Sequence, residues 1–206
     1  MPRPPCPPSP AALARAASLV LTSLLVAGPV ASGSAAQTAS PPPVEAQVAA
    51  QPYRIGDRAG FQPLYVTDLD ILVLGDDADA LGEDLEVRGP SLSVAVSASP
   101  SPAAAGREAF ARRALGFIPF VSDIRAEGTA RVRRGLNDWH ETVGRGSSVS
   151  GAEVLVYQAI LYGAPGRPYL RVVGLAPAGM RDAVLPRFRR VSRSITLKAV
   201  SSGPGA

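Results

Sequence analysis

The sequence predicts an α+β fold, a mostly antiparallel sheet covered by helices, and three observations carry that prediction. Residues 153–162 form a run rich in β-branched and aromatic side chains. It is apolar on both alternate faces, with Val154, Val156 and Ile160 on one and Leu155, Tyr157 and Leu161 on the other. A strand of that kind is covered from both sides. Turn formers at 163–168 then lead into a second run at 169–175, and Pro168 falls at a strand start, where a missing donor is tolerated. The pair reads as a hairpin. After Pro177 and Gly179 the period lengthens to about 3.6 residues. Met180, Val184, Phe188, Val191 and Ile195 make one apolar stripe, and Arg187, Arg189, Arg190 and Arg193 fall largely away from it. This is a helix laid on a sheet. An interior proline costs roughly 3 kcal/mol, so Pro186 belongs near the first turn, with Asp182 as the cap, or else kinks the helix.

The other elements follow from the amino terminus. Residues 1–36 have the parts of a secretory signal: Arg3 and Arg15 precede an apolar run at 16–27, and small residues end at Ser34, Ala35 and Ala36. The run is shorter than the roughly 20 residues that span a bilayer. Cleavage before Gln37 is therefore expected, with an uncleaved N-terminal membrane anchor as the minor alternative. Cys6 leaves with the signal, so the exported chain has no cysteine, which excludes disulfides and thiolate metal sites.

Residues 37–52, with Pro41, Pro42 and Pro43 among Ala, Gln and Ser, carry too little apolar surface to fold and read as an extended, disordered tether. The folded domain is expected at 53–199, followed by a flexible tail at 200–206. The β-prone run at 64–74 reads as one strand with a bulge near Asp68, where its apolar parity changes. An acidic loop follows at 75–84, and a second strand at 85–99 is interrupted by Gly89 and Pro90. Ser101 and Pro102 suit a helix start. That helix ends near Phe117, with Phe110, Ala114 and Phe117 on its inner face and Arg107, Glu108 and Arg112 toward water. Residues 120–125 and 130–134 read as short strands about a turn at Gly128, residues 136–143 as another strand, and residues 144–151 as a flexible loop. One domain with a real core is within reach of a chain this long.

From Phe110 onward, the order is a helix, a strand containing Gly135 to Glu141, a hydrophobic hairpin and a closing helix. It resembles the PsbP-like sandwich, most closely over residues 169–177 and 188–195. Similar segments also form the C-terminal accessory domain of some bacterial zinc metallopeptidases, without the metal motif. The resemblance implies an antiparallel sheet covered by helices. It implies no single activity, because the family includes extrinsic photosynthetic subunits, a small binder of a nuclear-transport GTPase and many exported bacterial proteins. No functional residue carries over.

Charge and composition narrow the function. Without Arg3 and Arg15 the 21 basic residues become 19 against 17 acidic ones, a net charge of +2, too small to imply a nucleic-acid partner. One histidine and no cysteine rule out two-histidine and Cys/His metal sites by count. No Gly-x-Ser-x-Gly elbow accompanies His140. The acidic stretch Asp76, Asp77 and Asp79 fails the calcium-loop spacing, because Leu81 and Arg88 stand where oxygen ligands belong. Catalytic, metal and cofactor assignments are accordingly none.

The candidate partner-binding residues are Arg187, Arg189, Arg190 and Arg193, whose plain reading is a solvated helix face, together with Trp139 and His140. The function expected is that of an exported, non-catalytic binding or accessory protein of the bacterial cell envelope, periplasmic or extracellular. It would dock on an envelope complex or an anionic surface and keep no transmembrane helix after cleavage. One alternative is a small-molecule carrier with a pocket between helix and sheet, lined by Tyr157, Tyr162 or Trp139. The other is an enzyme whose site the spacing does not reveal.

Overall fold

The computed structural model describes residues 42–82, 84–134, 137–163 and 166–198. The secretory signal at 1–36, the tether up to residue 41 and the tail at 200–206 lie outside the described residues.

The two-sided strand becomes β7 (Glu153–Leu161), whose residues from Val154 onward are all buried. It pairs antiparallel with β6 (Asn137–Ser147) and with β8 (Pro168–Pro177). Beyond these lie β5 (Ser122–Arg134) on one side, and β4 (Ser91–Pro100), β3 (Leu72–Gly75) and β2 (Gln62–Val66) on the other. The seven strands run in the order β2-β3-β4-β8-β7-β6-β5, every neighbour antiparallel. The α+β fold with an antiparallel sheet covered by helices is thus what the chain adopts, with the predicted hairpin in its interior.

Alternation along β7 and β8 divides the apolar residues between two faces, and a different helix packs on each. On the first lies α3 (Arg181–Ser194), the predicted closing helix, which buries Val184, Leu185, Phe188 and Val191. The Phe188 ring lies between those of Phe61 and Tyr157, at 5.7 and 5.8 Å. Gly174 of β8 makes room for it, since a Cβ there would come within 2.7 Å of that ring. Burying such a side chain is worth roughly 1.5–3 kcal/mol. A short pair, β1 (Tyr53–Ile55) with β9 (Ile195–Leu197), ties the start of the domain to the end of α3. On the second face α2 (Arg107–Ala114) sets Ala111 and Ala114 against Ile160, Tyr162 and Tyr169. Leu115 and Ile118 continue this contact over Val154, Val156 and Leu175.

Several expected boundaries differ, each for a physical reason. The run at 64–74 is two strands, because Thr67 nucleates a turn: its Oγ1 accepts from the amides of Leu69 and Ile71, and Asp70 takes a positive φ of 57°. The strand expected at 85–99 starts only at Ser91, and Leu81 and Val87 form an isolated bridge before it. The helix expected from Ser101 starts at Arg107, because β4 runs on to Pro100 and the Ser101 amide donates to the Arg167 carbonyl at 2.7 Å. This shift reverses two assignments. Arg107 is buried, whereas Phe117, in a 3-10 turn that breaks the helical period, is 77% exposed.

At Gly128 the chain makes a bulge within one continuous β5, not a turn between two strands. Gly144 and Gly146 lie within β6 and not in a loop. A Cβ at these positions would fall 2.5 Å from the Arg125 carbonyl oxygen and 2.4 Å from the Val121 side chain. The true turn follows at Ser148–Gly151, with Gly151 at φ 86°.

Pro186 lies in the second turn of α3 on its exposed side, Asp182 caps nothing, and Met180 sits in the preceding 3-10 turn, 38% exposed. The tether also differs: Val44–Ala50 forms a short helix, α1, whose Val48 packs on the core. Glu45 pairs with Arg58 through two hydrogen bonds of 2.9 Å, and Lys198 donates to the Ala49 carbonyl. These long-range contacts supply the partners that composition alone could not show.

Candidate functional site

The two helices are unequal. With 14 residues α3 crosses its face of the sheet, whereas α2 has eight and leaves the same-side surface of β2, β3 and β4 without a helix over it. On that surface lies an apolar groove of about 490 Å³. Its floor is formed by Val73 of β3, Ser91, Ser93 and Ala95 of β4, and Arg171, Val173 and Leu175 of β8. Register explains the set, since Val73, Ser93 and Val173 are successive cross-strand partners.

Its rim is made of large side chains exposed to solvent. Eight large apolar side chains are exposed among the described residues, and five of them line this groove: Tyr65, Leu69, Leu85, Phe117 and Phe120. Scattered apolar residues on a surface are ordinary, but a contiguous cluster marks a binding site. The loops that present them hold strained backbones. Leu85 and Phe120 take φ values of 65° and 66°, and Asp70, beside Leu69, takes 57°. For bulky side chains this left-handed conformation costs on the order of 1–3 kcal/mol and persists only where the surroundings impose it. For the Leu85 loop the restraint is visible: Glu86 accepts from Ser148 Oγ at 2.5 Å and from the Ser150 amide at 3.0 Å. The Ser148 hydrogen bond also holds the Glu86 carboxyl below its usual range.

Arg171 is the one charged side chain among the described lining residues. Its Nε donates to Gln158 Oε1 at 3.0 Å and its Nη2 to the Ala114 carbonyl at 2.5 Å, while Gln158 Nε2 donates to the Ala111 carbonyl at 2.8 Å. The two side chains thereby satisfy carbonyls at the end of α2, where a cation is favoured. Desolvation pushes the Arg171 guanidinium below its ordinary value. No carboxylate, imidazole or thiol is among the described lining residues. These side chains sequester apolar surface and offer hydroxyls and one cation.

The residues singled out from sequence lie elsewhere and do not form one site. Trp139 and His140 are neighbours on β6 and so point to opposite faces. Trp139 is 1% exposed in the α3-side core, its Nε1 without a partner. His140 is buried on the α2 side, edge-on to Tyr162 at 5.1 Å, its Nε2 also unpartnered. Burial pushes its pKa down against the pull of Asp138. Tyr157, Tyr162 and Trp139 fill the space between helices and sheet instead of lining a pocket there, and the groove lies beside α2 over other strands.

The arginines of α3 are more engaged than a solvated face requires. Arg187 pairs with both oxygens of Asp76, lies 4.0 Å over the Phe61 ring and donates to the Ala59 carbonyl. Arg193 makes hydrogen bonds of 2.7 and 2.9 Å to the buried Glu141, and Arg189 approaches the same carboxylate at 3.5 Å. Arg190 is the freest, 3.9 Å from Asp57 with its side chain 64% exposed. Arg189, Arg190 and Arg193 share one shallow depression with Asp57, and Arg187 is not part of it.

No protein-family model matches the chain, and no curated protein matches it. Solved structures are similar at the level of the fold. The Saccharomyces cerevisiae Ran-binding protein Mog1p is 13% identical over 71% of this chain and 90% of its own, with a TM-score of 0.49. Mycobacterium tuberculosis LpqN, described as involved in cell envelope biogenesis, is 12% identical over 71% and 83%, with a TM-score of 0.48. Cyanobacterial PsbP from Synechocystis is 13% identical over 70% and 91%, with a TM-score of 0.46. A likeness of this degree assigns neither a family nor an activity. Among the described residues no helix is long and apolar enough to cross a membrane, and no group of three or more metal-ligating side chains is assembled.

Proposed function

We propose that the chain is an exported, non-catalytic binding protein of the bacterial cell envelope, and that the groove beside α2 is where it binds. One observation carries the reading: five of the eight large apolar side chains exposed among the described residues surround a single groove, two of them, Leu85 and Phe120, on a left-handed backbone. Leaving such surface in water forfeits about 25 cal/mol per Å², a loss that a bound apolar group recovers. Export is supported by the signal-like composition of residues 1–36.

The depression at Arg189, Arg190 and Arg193 is a secondary contact for an acidic envelope partner. It is favoured by three guanidinium groups that, among the described residues, share two carboxylates, those of Glu141 and Asp57.

The test is a titration with Nile red, a neutral apolar dye. Its fluorescence should rise on binding to the intact protein and fall back in a Leu69→Ser, Phe117→Ser variant whose circular dichroism is unchanged. Undiminished dye binding in that variant would remove the groove from the proposal. Fractionation of a bacterial host checks the other half: a processed chain beginning near Gln37 in the envelope fraction supports export, and an unprocessed cytoplasmic chain refutes it.

A further inference from the structure

The charge of the groove stands at one end of its floor, at Arg171, beside neutral hydroxyls from Ser91 and Ser93, and that asymmetry, taken with the binding role proposed above, specifies a ligand class. We infer that the groove takes a long-chain carboxylate, an amphiphile of the fatty-acid type, whose head pairs with Arg171 and whose chain lies over Val173, Val73 and Leu175.

The argument begins with the strand. Arg171, Val173 and Leu175 alternate on one face of β8, and at about 3.3 Å per residue the first and last are roughly 13 Å apart. Arg171 stands where the end of α2 closes the groove. Leu175 stands at the other end, in the apolar cluster with Val87 and Leu81. A cation at one end of an apolar channel is the complement of an amphiphile with an anion at one end of an alkyl chain. The volume of about 490 Å³ lies in the range of small-molecule sites.

Arg171 moreover keeps one nitrogen open to solvent and uncommitted among the described residues. Its Nε and Nη2 are committed to Gln158 and Ala114, its Nη1 has no protein acceptor, and no carboxylate pairs with it among the described residues. A part-buried guanidinium without a counter-ion is an unbalanced charge that helix carbonyls offset only in part. One uncommitted nitrogen suits a monoanion better than a phosphate, whose three oxygens and higher charge call for a cluster of donors.

Calorimetric titrations of the protein with dodecanoate, dodecyl phosphate and dodecanol test the inference. Dodecanoate should bind about tenfold tighter than dodecanol, as expected for a charge-assisted hydrogen bond in a partly desolvated site. Arg171→Gln should reduce that ratio to within about twofold, and Arg171→Lys should keep most of it. Equal binding of acid and alcohol by the intact protein would overturn the inference, even with Nile red still bound and the groove therefore intact. Tighter binding of dodecyl phosphate than of dodecanoate would overturn the choice of head group. Loss of Nile red binding together with all three ligands would instead strike the groove itself. If the Gln variant does not fold, the intact protein still decides. Its preference for the acid should vanish below about pH 4, where the ligand carboxyl is protonated, and a preference that persists there contradicts the pairing.

Discussion

The two faces of the sheet are built from the same strands and end in opposite states. On the α3 face, Phe188 is fully buried between two aromatic rings and a glycine, and the buried Glu141 is held by Arg193 and Arg189. On the α2 face the helix stops after eight residues, and Phe117, three residues past its end, turns out to solvent at the lip of a groove. Both faces carry apolar residues, and the open one also carries Arg171, Ser91 and Ser93, so hydrophobicity alone does not set where the cover ends. Helix length does: the 14 residues of α3 cross one face, and the eight of α2 cover only part of the other.

The largest effect that would sharpen this contrast is at Phe188. Phe188→Ala should lower unfolding free energy by about 3–5 kcal/mol, the range for a buried aromatic ring. Denaturant unfolding gives the value, and a loss under 1 kcal/mol would mean that the α3 face is not the closed one. Glu141→Ala comes next, at about 1.5–2 kcal/mol, because it removes the charged hydrogen bonds to Arg193, while both arginines keep access to water. The same melts measure it, and an unchanged midpoint would show that this pair contributes nothing. A chain starting at Gln51 should still fold, losing about 1 kcal/mol with the partly buried Val48 contact. Aggregation of that chain alone would place α1 inside the core.

The fourth effect is a pH dependence. His140 is held below its ordinary pKa by burial, with Asp138 and Glu108 opposing the shift and Arg131 and Arg107 reinforcing it. The unfolded chain therefore binds the proton more readily. The contribution is fully present above about pH 6.5 and is lost as pH falls through the lowered folded value. Replacing His140 with Gln should flatten the stability profile below pH 6.5, and a profile identical to that of the parent protein would refute the assignment. Smallest are Phe117→Ala and Arg190→Gln, each within about 0.5 kcal/mol as exposed changes. Phe117→Ala should nonetheless weaken apolar binding, a separation of stability from binding that the comparison requires.

What could be read in advance was what the chain declares locally. Strand β7 and the helical stripe of Val184, Phe188 and Val191 carry their periods within a dozen residues and folded as read, while the two ends of that stripe, Met180 and Ile195, fall in a 3-10 turn and in β9. Gly128, Gly144 and Gly146 misled because glycine marks a turn in most sequences. Here it serves a bulge and two close backbone approaches whose partners, on a neighbouring strand, are invisible to a local pattern. The arginines of α3 were legible as a face but not as ion pairs, since Asp76 and Glu141 lie far from them in sequence. The groove was the least legible feature, drawing on segments around residues 65–73, 81–85, 91–95, 117–120 and 171–175. One signal was available: Arg171 is the only charge within an otherwise apolar strand, and a lone charge on a buried strand asks for a partner.

The most direct test of the unequal faces is a nuclear magnetic resonance titration of the isotopically labelled protein with dodecanoate. Amide shifts confined to Val73, Ser93, Val173 and the Phe117–Phe120 turn, with α3 silent, are the predicted result. Shifts centred on α3 and its arginines, or no saturable shifts at the groove, would contradict the claim that the chain leaves this face for a ligand.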